Sequence, residues 1–371
     1  VGNPYASALD GYEFILDNIS SGPGRAATDV IDGSLYFWEH FANATHNLAE
    51  YEGGYATFTL VGGTKAISNH ILINNSLAVG EKTPGQYVPV SQGFFVNAFT
   101  GGTITFKNSQ RTFKKEEIGS SVFMKGTIES SNRTTNSDNS LKEDNRQKIR
   151  LMFDSSLGYH RQLLVGVDEN CTSGFDIGYD GLLIEDIPED MYWVIDNENY
   201  IIQGVPDFNN DRVLPLEVKT NADGNIVIRI DYLENISDDL DIYLHDAELG
   251  TFHDLRDSDF SIFLNSGIHS NRFEIVFETL GDGALNLEEE NIESIGLHYS
   301  NSNESIVLVN PNYLKISEVE LFDILGKLIL KETNIPISNI IEIEASGLST
   351  GTYILKAETE FGTTTKKVII N

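Results

Sequence analysis

Short alternating or aromatic runs, each cut off by Gly, Asn, Asp or Pro, dominate this chain and leave room for little except strands. Gly33-Ser-Leu-Tyr-Phe-Trp38, Tyr55-Ala-Thr-Phe-Thr-Leu60, Gly93-Phe-Phe-Val-Asn97 and Thr103-Ile-Thr-Phe106 are early examples. Arg161-Gln-Leu-Leu-Val165, Met191-Tyr-Trp-Val-Ile195, Asn225-Ile-Val-Ile-Arg-Ile230 and Arg272-Phe-Glu-Ile-Val-Phe277 follow. Runs this short, rich in β-branched and aromatic side chains and spaced by turn residues, suit the strands of a sandwich. Helical spacing is scarce; residues 9–18 offer one or two turns, with Asp10 as the N-cap. The expected fold class is all-β, with a large jelly-roll-like β-sandwich followed by a small Ig-like β-sandwich.

Two segments interrupt the strand pattern. Residues 129–148 are polar and almost free of apolar side chains, which predicts a long surface loop. Residues 280–305 carry Glu288-Glu289-Glu290 and a cluster of Asn and Ser, which predicts an acidic linker. The expected division is therefore a large domain over 1–279, a linker over 280–305 and a small domain over 306–371.

Charge narrows the partners. Fifty-six acidic residues against 25 basic ones give a formal net charge of −31. Nucleic acid and anionic lipid both require a basic face, so neither is an expected partner. No apolar run reaches the roughly 18 residues of a membrane-spanning helix. The single cysteine, Cys171, excludes an internal disulfide and reads as a small buried hydrophobe. The chain opens on Val1 with no charged-plus-apolar leader, as expected of a processed protein or the tail of a longer one.

The C-terminal segment reads most clearly. Val319-Glu-Leu-Phe322 leads into Asp323-Ile-Leu-Gly326 and then Lys327-Leu-Ile-Leu330. Asp first and Gly fourth suit a type I turn, so a hairpin is expected. A second pair follows: Gly351-Thr-Tyr-Ile-Leu-Lys-Ala357, a turn at Glu360-Phe-Gly-Thr363, and Lys366-Lys-Val-Ile-Ile370. By strand alternation Tyr353, Leu355 and Ala357 share one face, and Val368 and Ile370 share another. In this order the motifs resemble the type A C-terminal sorting domain of the type IX secretion system of Bacteroidetes. The opening differs, with Asn310-Pro-Asn312 where that family often has Pro-Asn-Pro.

The resemblance implies export through the outer membrane to the cell surface or the medium. It implies an outer-membrane translocon and a shuttle β-barrel as partners, and surface lipopolysaccharide as an attachment point. It assigns Asp323 and Gly326 to the turn motif, and Gly351 and Tyr353 to the Gly-x-Tyr motif. Lys366, Lys367 and Val368 fall in the terminal motif that the machinery reads, with the two lysines expected to be exposed.

A second resemblance covers the large domain, through Val1-Gly-Asn-Pro-Tyr5, Leu35-Tyr-Phe-Trp38, Gln92-Gly-Phe-Phe-Val96, Tyr159-His-Arg-Gln162, Gly178-Tyr-Asp180 and Ile242-Tyr-Leu-His-Asp246. These resemble a poorly characterised domain that precedes such sorting signals, and no activity comes with the likeness. From the residues themselves, three chemistries arise. Asp207, Asn209 and Asp211 alternate oxygen ligands as calcium loops do, but lack the following Gly and the distant Glu. Calcium is thus the one cofactor the pattern admits. Trp38 and Trp193, with Tyr36 and Tyr55, supply rings for stacking on a glycan, although rings at strand spacing also fill cores. His160, His253 and a carboxylate would have to converge in a cleft for a hydrolase. No Gly-x-Ser-x-Gly elbow, His-Glu-x-x-His helix or Walker loop accompanies them. The preferred expectation is a non-enzymatic spacer or adhesin-type module, with a glycan-binding module second and a hydrolase third.

Overall fold

A computed structural model describes residues 1–40, 53–67, 80, 82–115, 121–124, 144–185, 187–279, 295–300, 304–310, 314–333, 335–359 and 362–370. Among these residues strands are the dominant regular structure, and the one α-helix is Gly11–Leu16. Asp10 caps it as the sequence predicts, accepting from the N–H groups of Tyr12 at 3.1 Å and Glu13 at 3.3 Å.

One large sheet organises the first part of the chain. Its strands run in the order Thr251–Asp254, Tyr243–Asp246, Gly267–Val276, Val213–Thr220, Asp190–Ile195, Glu198–Val205, His160–Val167, Lys148–Asp154, Gly224–Glu234 and Phe260–Leu264. Neighbours are antiparallel except Glu198–Val205, which lies parallel to His160–Val167. The sheet curls until its two ends nearly meet: the His253 ring stands edge-on to Phe260 at 5.4 Å, one residue from each end strand. This curl shields what would otherwise be two open edges.

The N-terminal residues fold against this sheet as two three-stranded sheets, one of them built on Leu35–His40 and Gly53–Phe58. A single apolar core joins both layers, with Leu9, Phe14, Ile15, Leu35 and Phe37 packed in the same cluster as Leu151, Leu163, Trp193, Ile202 and Phe273. Alternation drives the burial. In Val213–Thr220 the residues Leu214, Leu216, Val218 and Thr220 turn inward, while Val213 and Pro215 face out.

Residues from 295 onward build a second, smaller core between two sheets. Gly296–Ser300, Ser305–Val309 and Ile340–Glu344 form one. Leu328–Glu332, Ile316–Asp323, Gly351–Thr359 and Gly362–Ile370 form the other. The strand Gly296–Ser300 corrects the linker expected over 280–305. Ile295, Leu297 and Tyr299 are buried at alternate positions, and the polar residues flanking them hide that period in the sequence. Most of the loop expected at 129–148 lies outside the described residues, as do Glu360 and Phe361 of the last turn.

One ion pair lies deep in the first core. The Arg161 guanidinium forks onto Asp190, Nε to Oδ1 and Nη2 to Oδ2, both at 2.7 Å, with both side chains buried. Removing one member of such a pair strands the other charge, at a cost of roughly 3–5 kcal/mol. Asp190→Ala is therefore expected to lower the urea unfolding midpoint by a stability loss of that order. A midpoint within experimental error of the parent would show that the pair contributes little.

Candidate functional site

In the C-terminal sandwich the hairpin turn forms as the sequence predicts. Asp323 accepts from the Gly326 N–H through its backbone carbonyl, at 3.0 Å. Its side chain accepts from Leu325 N–H at 2.8 Å and Lys327 N–H at 2.9 Å. Gly326 sits at φ +82°, which only glycine adopts without strain. The motif residues then separate by role. Tyr353 and Val368 point into the core, and the Tyr353 hydroxyl donates to Ser349 O at 2.8 Å. A Cβ built on Gly351 would stand 3.6 Å from the Tyr353 ring, an ordinary contact. Lys367 is exposed, but Lys366 is half-buried on the inner side, opposite Leu355, and departs from the expected exposed pair. Burial first, then the positive charges of Lys366 and Arg272, push His298 down to about 4.

The outer face of the four-stranded sheet is divided. At one end Lys331 pairs with Glu318 and Glu320, and Lys356 with Glu320. At the turn end the cross-strand neighbours Phe322, Leu328 and Ile354 meet Lys367 beside Ile369. Ile369 is 58% exposed, and Leu325 in the turn is 89% exposed. This is an apolar patch with one positive charge beside it.

In the large domain a cleft of about 510 Å³ opens between the segment 97–99, the loop around Phe175 and the strand Glu198–Val205. Asp32, Asn97, Phe99, Phe175, Asp180 and Tyr200 line it. Two glycines set its floor. A Cβ on Gly33 would stand 2.3 Å from the Gly178 Cα, so the backbone beside Asp32 can touch the loop that carries Asp180. Asp32 accepts from Ser34 N–H at 2.9 Å and from the Asn97 amide at 3.0 Å. Asp180 accepts from Gly204 N–H at 2.7 Å and Asp176 N–H at 2.6 Å. Burial raises the Asp32 carboxyl and pushes Asp180 up to about 8. Tyr200 is 5% exposed. Its hydroxyl is not among the buried atoms left without a hydrogen bond, as a group at the cleft lining need not be. Burial and the charges of Asp180, Glu198, Asp196 and Asp32 push it up to about 12.

The other candidates fall in separate places. Trp193 is fully buried and donates its indole N–H to Leu164 O at 3.0 Å, so it is core and no glycan platform. Trp38 is 38% exposed and meets Tyr55 edge-on at 5.1 Å, and Tyr55 meets Phe95 at 5.5 Å. Asp207 gives a carboxylate oxygen to the Arg212 guanidinium at 2.9 Å. The guanidinium thus competes for one of the oxygens that the calcium pattern would use. His160 joins Asp154 through Nδ1, while His253 meets Ser258 through Nε2, and neither faces the cleft. Cys171 is buried, and burial with Asp168 nearby raises its thiol far above the range of a nucleophile. The sequence singled out neither Asp32, Asp180, Phe175 nor Tyr200; Gly178-Tyr-Asp180 was the one trace of them.

Residues 1–277 match a family described as a domain of unknown function (DUF8693). The chain belongs to that family. Residues 299–371 match the secretion system C-terminal sorting domain, the type IX signal that the terminal motifs resemble. The sorting domain marks the chain for export to the cell surface or beyond. No curated protein matches the chain. One solved structure similar to it is described as a tetra-tandem repeat in the extending region of a large adhesion protein. Identity is 13% and the TM-score is 0.16, over 60% of this chain and 66% of that one.

The Asp180 carboxyl of this DUF8693 domain gives a pH signature. Unfolded, it titrates near its ordinary 3.8; folded, at about 8. Between those values the folded state holds a proton that the unfolded state releases, so stability falls as pH rises through the window. Glu185, pushed up to about 7 by burial, acts in the same direction. Asp180→Asn is expected to flatten the decline in denaturation midpoint between pH 5 and 8 (roughly the window in which stability usually peaks). An unchanged slope would show that Asp180 titrates normally.

Proposed function

We propose that the DUF8693 domain is a non-enzymatic spacer or adhesin-type module, and that the sorting domain delivers it by docking its turn-end apolar face on the type IX machinery. The observation that carries the docking is the patch of Phe322, Leu328, Ile354 and Ile369 beside Lys367, apolar yet outward-facing on a chain of net charge −31. A patch of this kind marks a contact surface. The outer-membrane translocon and the shuttle β-barrel are its proposed partners, with surface lipopolysaccharide as the proposed attachment point. The separate settings of His160 and His253, and the buried Cys171 thiol, favour the non-enzymatic reading.

Deletion of 306–371 is expected to leave the protein in the periplasm, as read by cell fractionation. Ile369→Ser with Ile354→Ser is expected to reduce surface delivery severalfold while circular dichroism stays that of the parent. Full delivery of the double variant would remove the docking face, and delivery of the deleted chain would remove the sorting reading itself.

The exposed Trp38–Tyr55–Phe95 ring cluster favours a second reading, glycan binding by the DUF8693 domain. Trp38→Ala is then expected to lower signals on a glycan array. Silence of the parent protein across the array would end this reading.

A further inference from the structure

We infer that the Trp38 rings and the Asp32–Asp180–Tyr200 cleft are two ends of one groove, which binds a neutral carbohydrate chain. This rests on the glycan-binding reading above and gives it an extended site.

The segment 93–99 links the two ends. Phe95 exchanges both backbone hydrogen bonds with Tyr36, at 3.0 and 2.8 Å. Asn97 O accepts from Asp32 N–H at 3.2 Å, and Phe99 N–H donates to Val30 O at 3.0 Å. These bonds hold the segment extended, and Phe94 turns inward onto Phe14 and Phe37, at 5.5 and 5.6 Å. Phe95, Asn97 and Phe99 occupy the alternate positions. Four residue steps of extended chain take Phe95 to Phe99, a span of about 13 Å.

Each Phe joins a ring group. Phe95 stands against Tyr55, which stands against Trp38. Phe99 lies 6.3 Å from Phe175, and Phe175 lies 5.6 Å from Tyr200. Phe95 is 60% and Phe99 52% exposed, so their faces are available to a ligand. Two ring groups this far apart suit an extended polymer better than a single compact molecule.

The polar groups between the rings select the polymer. Asn97 and Tyr200 both donate and accept, as a hydroxyl-rich ligand requires. The Tyr200 hydroxyl lies on the cleft lining and is not among the buried atoms that lack a hydrogen bond, so it is open to exchange water for a sugar hydroxyl. Burial disfavours the ionised form of Asp180, which makes the cleft less hospitable to a cation than two free carboxylates would be. A net charge of −31 repels anionic polymers. Sugar rings offer C–H faces to the aromatic walls and hydroxyls to the floor at once.

The test uses the whole chain on immobilised neutral polysaccharides, with their monosaccharides and short oligosaccharides as competitors. The expected result is that oligosaccharides compete better than monosaccharides. Phe95→Ala and Tyr200→Phe are each expected to weaken binding about tenfold, equivalent to about 1.4 kcal/mol. Phe95 is exposed, and Tyr200→Phe keeps the packed ring, so neither change threatens the fold. Binding that Trp38→Ala abolishes but Phe95→Ala and Tyr200→Phe leave intact would overturn the groove and spare the glycan reading. Absence of binding to any neutral glycan overturns both. Preference for acidic polysaccharides, or for an amine or peptide competitor, overturns the choice of ligand.

Discussion

The backbone of Gly33 lies against the backbone of Gly178, and the candidate cleft of the large domain hangs from that contact. Gly178 N–H donates to Asp32 O at 2.9 Å, and Leu60 N–H donates to Gly178 O at 2.8 Å. Both glycines are left-handed, at φ +87° and +91°. A side chain at either would push the N-terminal layer off the loop that carries Tyr179 and Asp180. Because the contact admits no side chain, Asp32 and Asp180 come to line the same opening. The price is two carboxyls taken out of water, which the surrounding N–H groups only partly offset.

The basic residues show how an acidic chain remains folded. Among the described residues, arginines and lysines of the large sheet are committed to carboxylates. Arg146 reaches Asp144 and Asp168, Lys148 and Arg150 reach Glu234, and Arg272 holds the buried Asp246. Arg146 also donates to Leu60 O and the Tyr12 hydroxyl, so the same cation ties the N-terminal layer to the sheet. Bases spent internally leave the acids to dominate the surface. Neutral or hydroxyl-rich partners suit such a surface better than anions do.

Local rules were legible in the sequence where local geometry decides the outcome. Asp323 through Gly326 fold as a turn because side-chain acceptor and left-handed glycine lie within four residues. Asp10 caps its helix for the same reason. The strands and the all-β class followed from alternation. What depends on the partner strand was not legible. Trp38 and Trp193 stand in similar aromatic runs, yet one strand is covered on both faces and the other is not. Asp207 looked like a calcium ligand because its alternation with Asn209 and Asp211 is visible in the sequence, whereas its ion pair with Arg212 is visible only in the fold. The cleft escaped notice because Asp32 and Asp180 are brought together by glycines that carry no chemistry of their own. Ile295, Leu297 and Tyr299 were hidden by an acidic neighbourhood, although their spacing is that of a strand.

The sorting domain and the large domain present different surfaces. The sorting domain keeps one end of its outer sheet apolar, with Ile354 and Ile369 facing solvent, while the other end is laced by the Lys331 and Lys356 ion pairs. Uniform ion pairing across that face would remove the aggregation hazard of an exposed strand. Apolar residues gathered at the turn end are what the proposed docking of this face would use. In the large domain the exposed rings are instead interleaved with Asn97 and set beside buried hydroxyl and carboxyl groups. A protein partner would favour a continuous apolar centre with polar groups at the rim. Rings alternating with hydrogen-bonding groups are the feature on which the proposed carbohydrate groove rests.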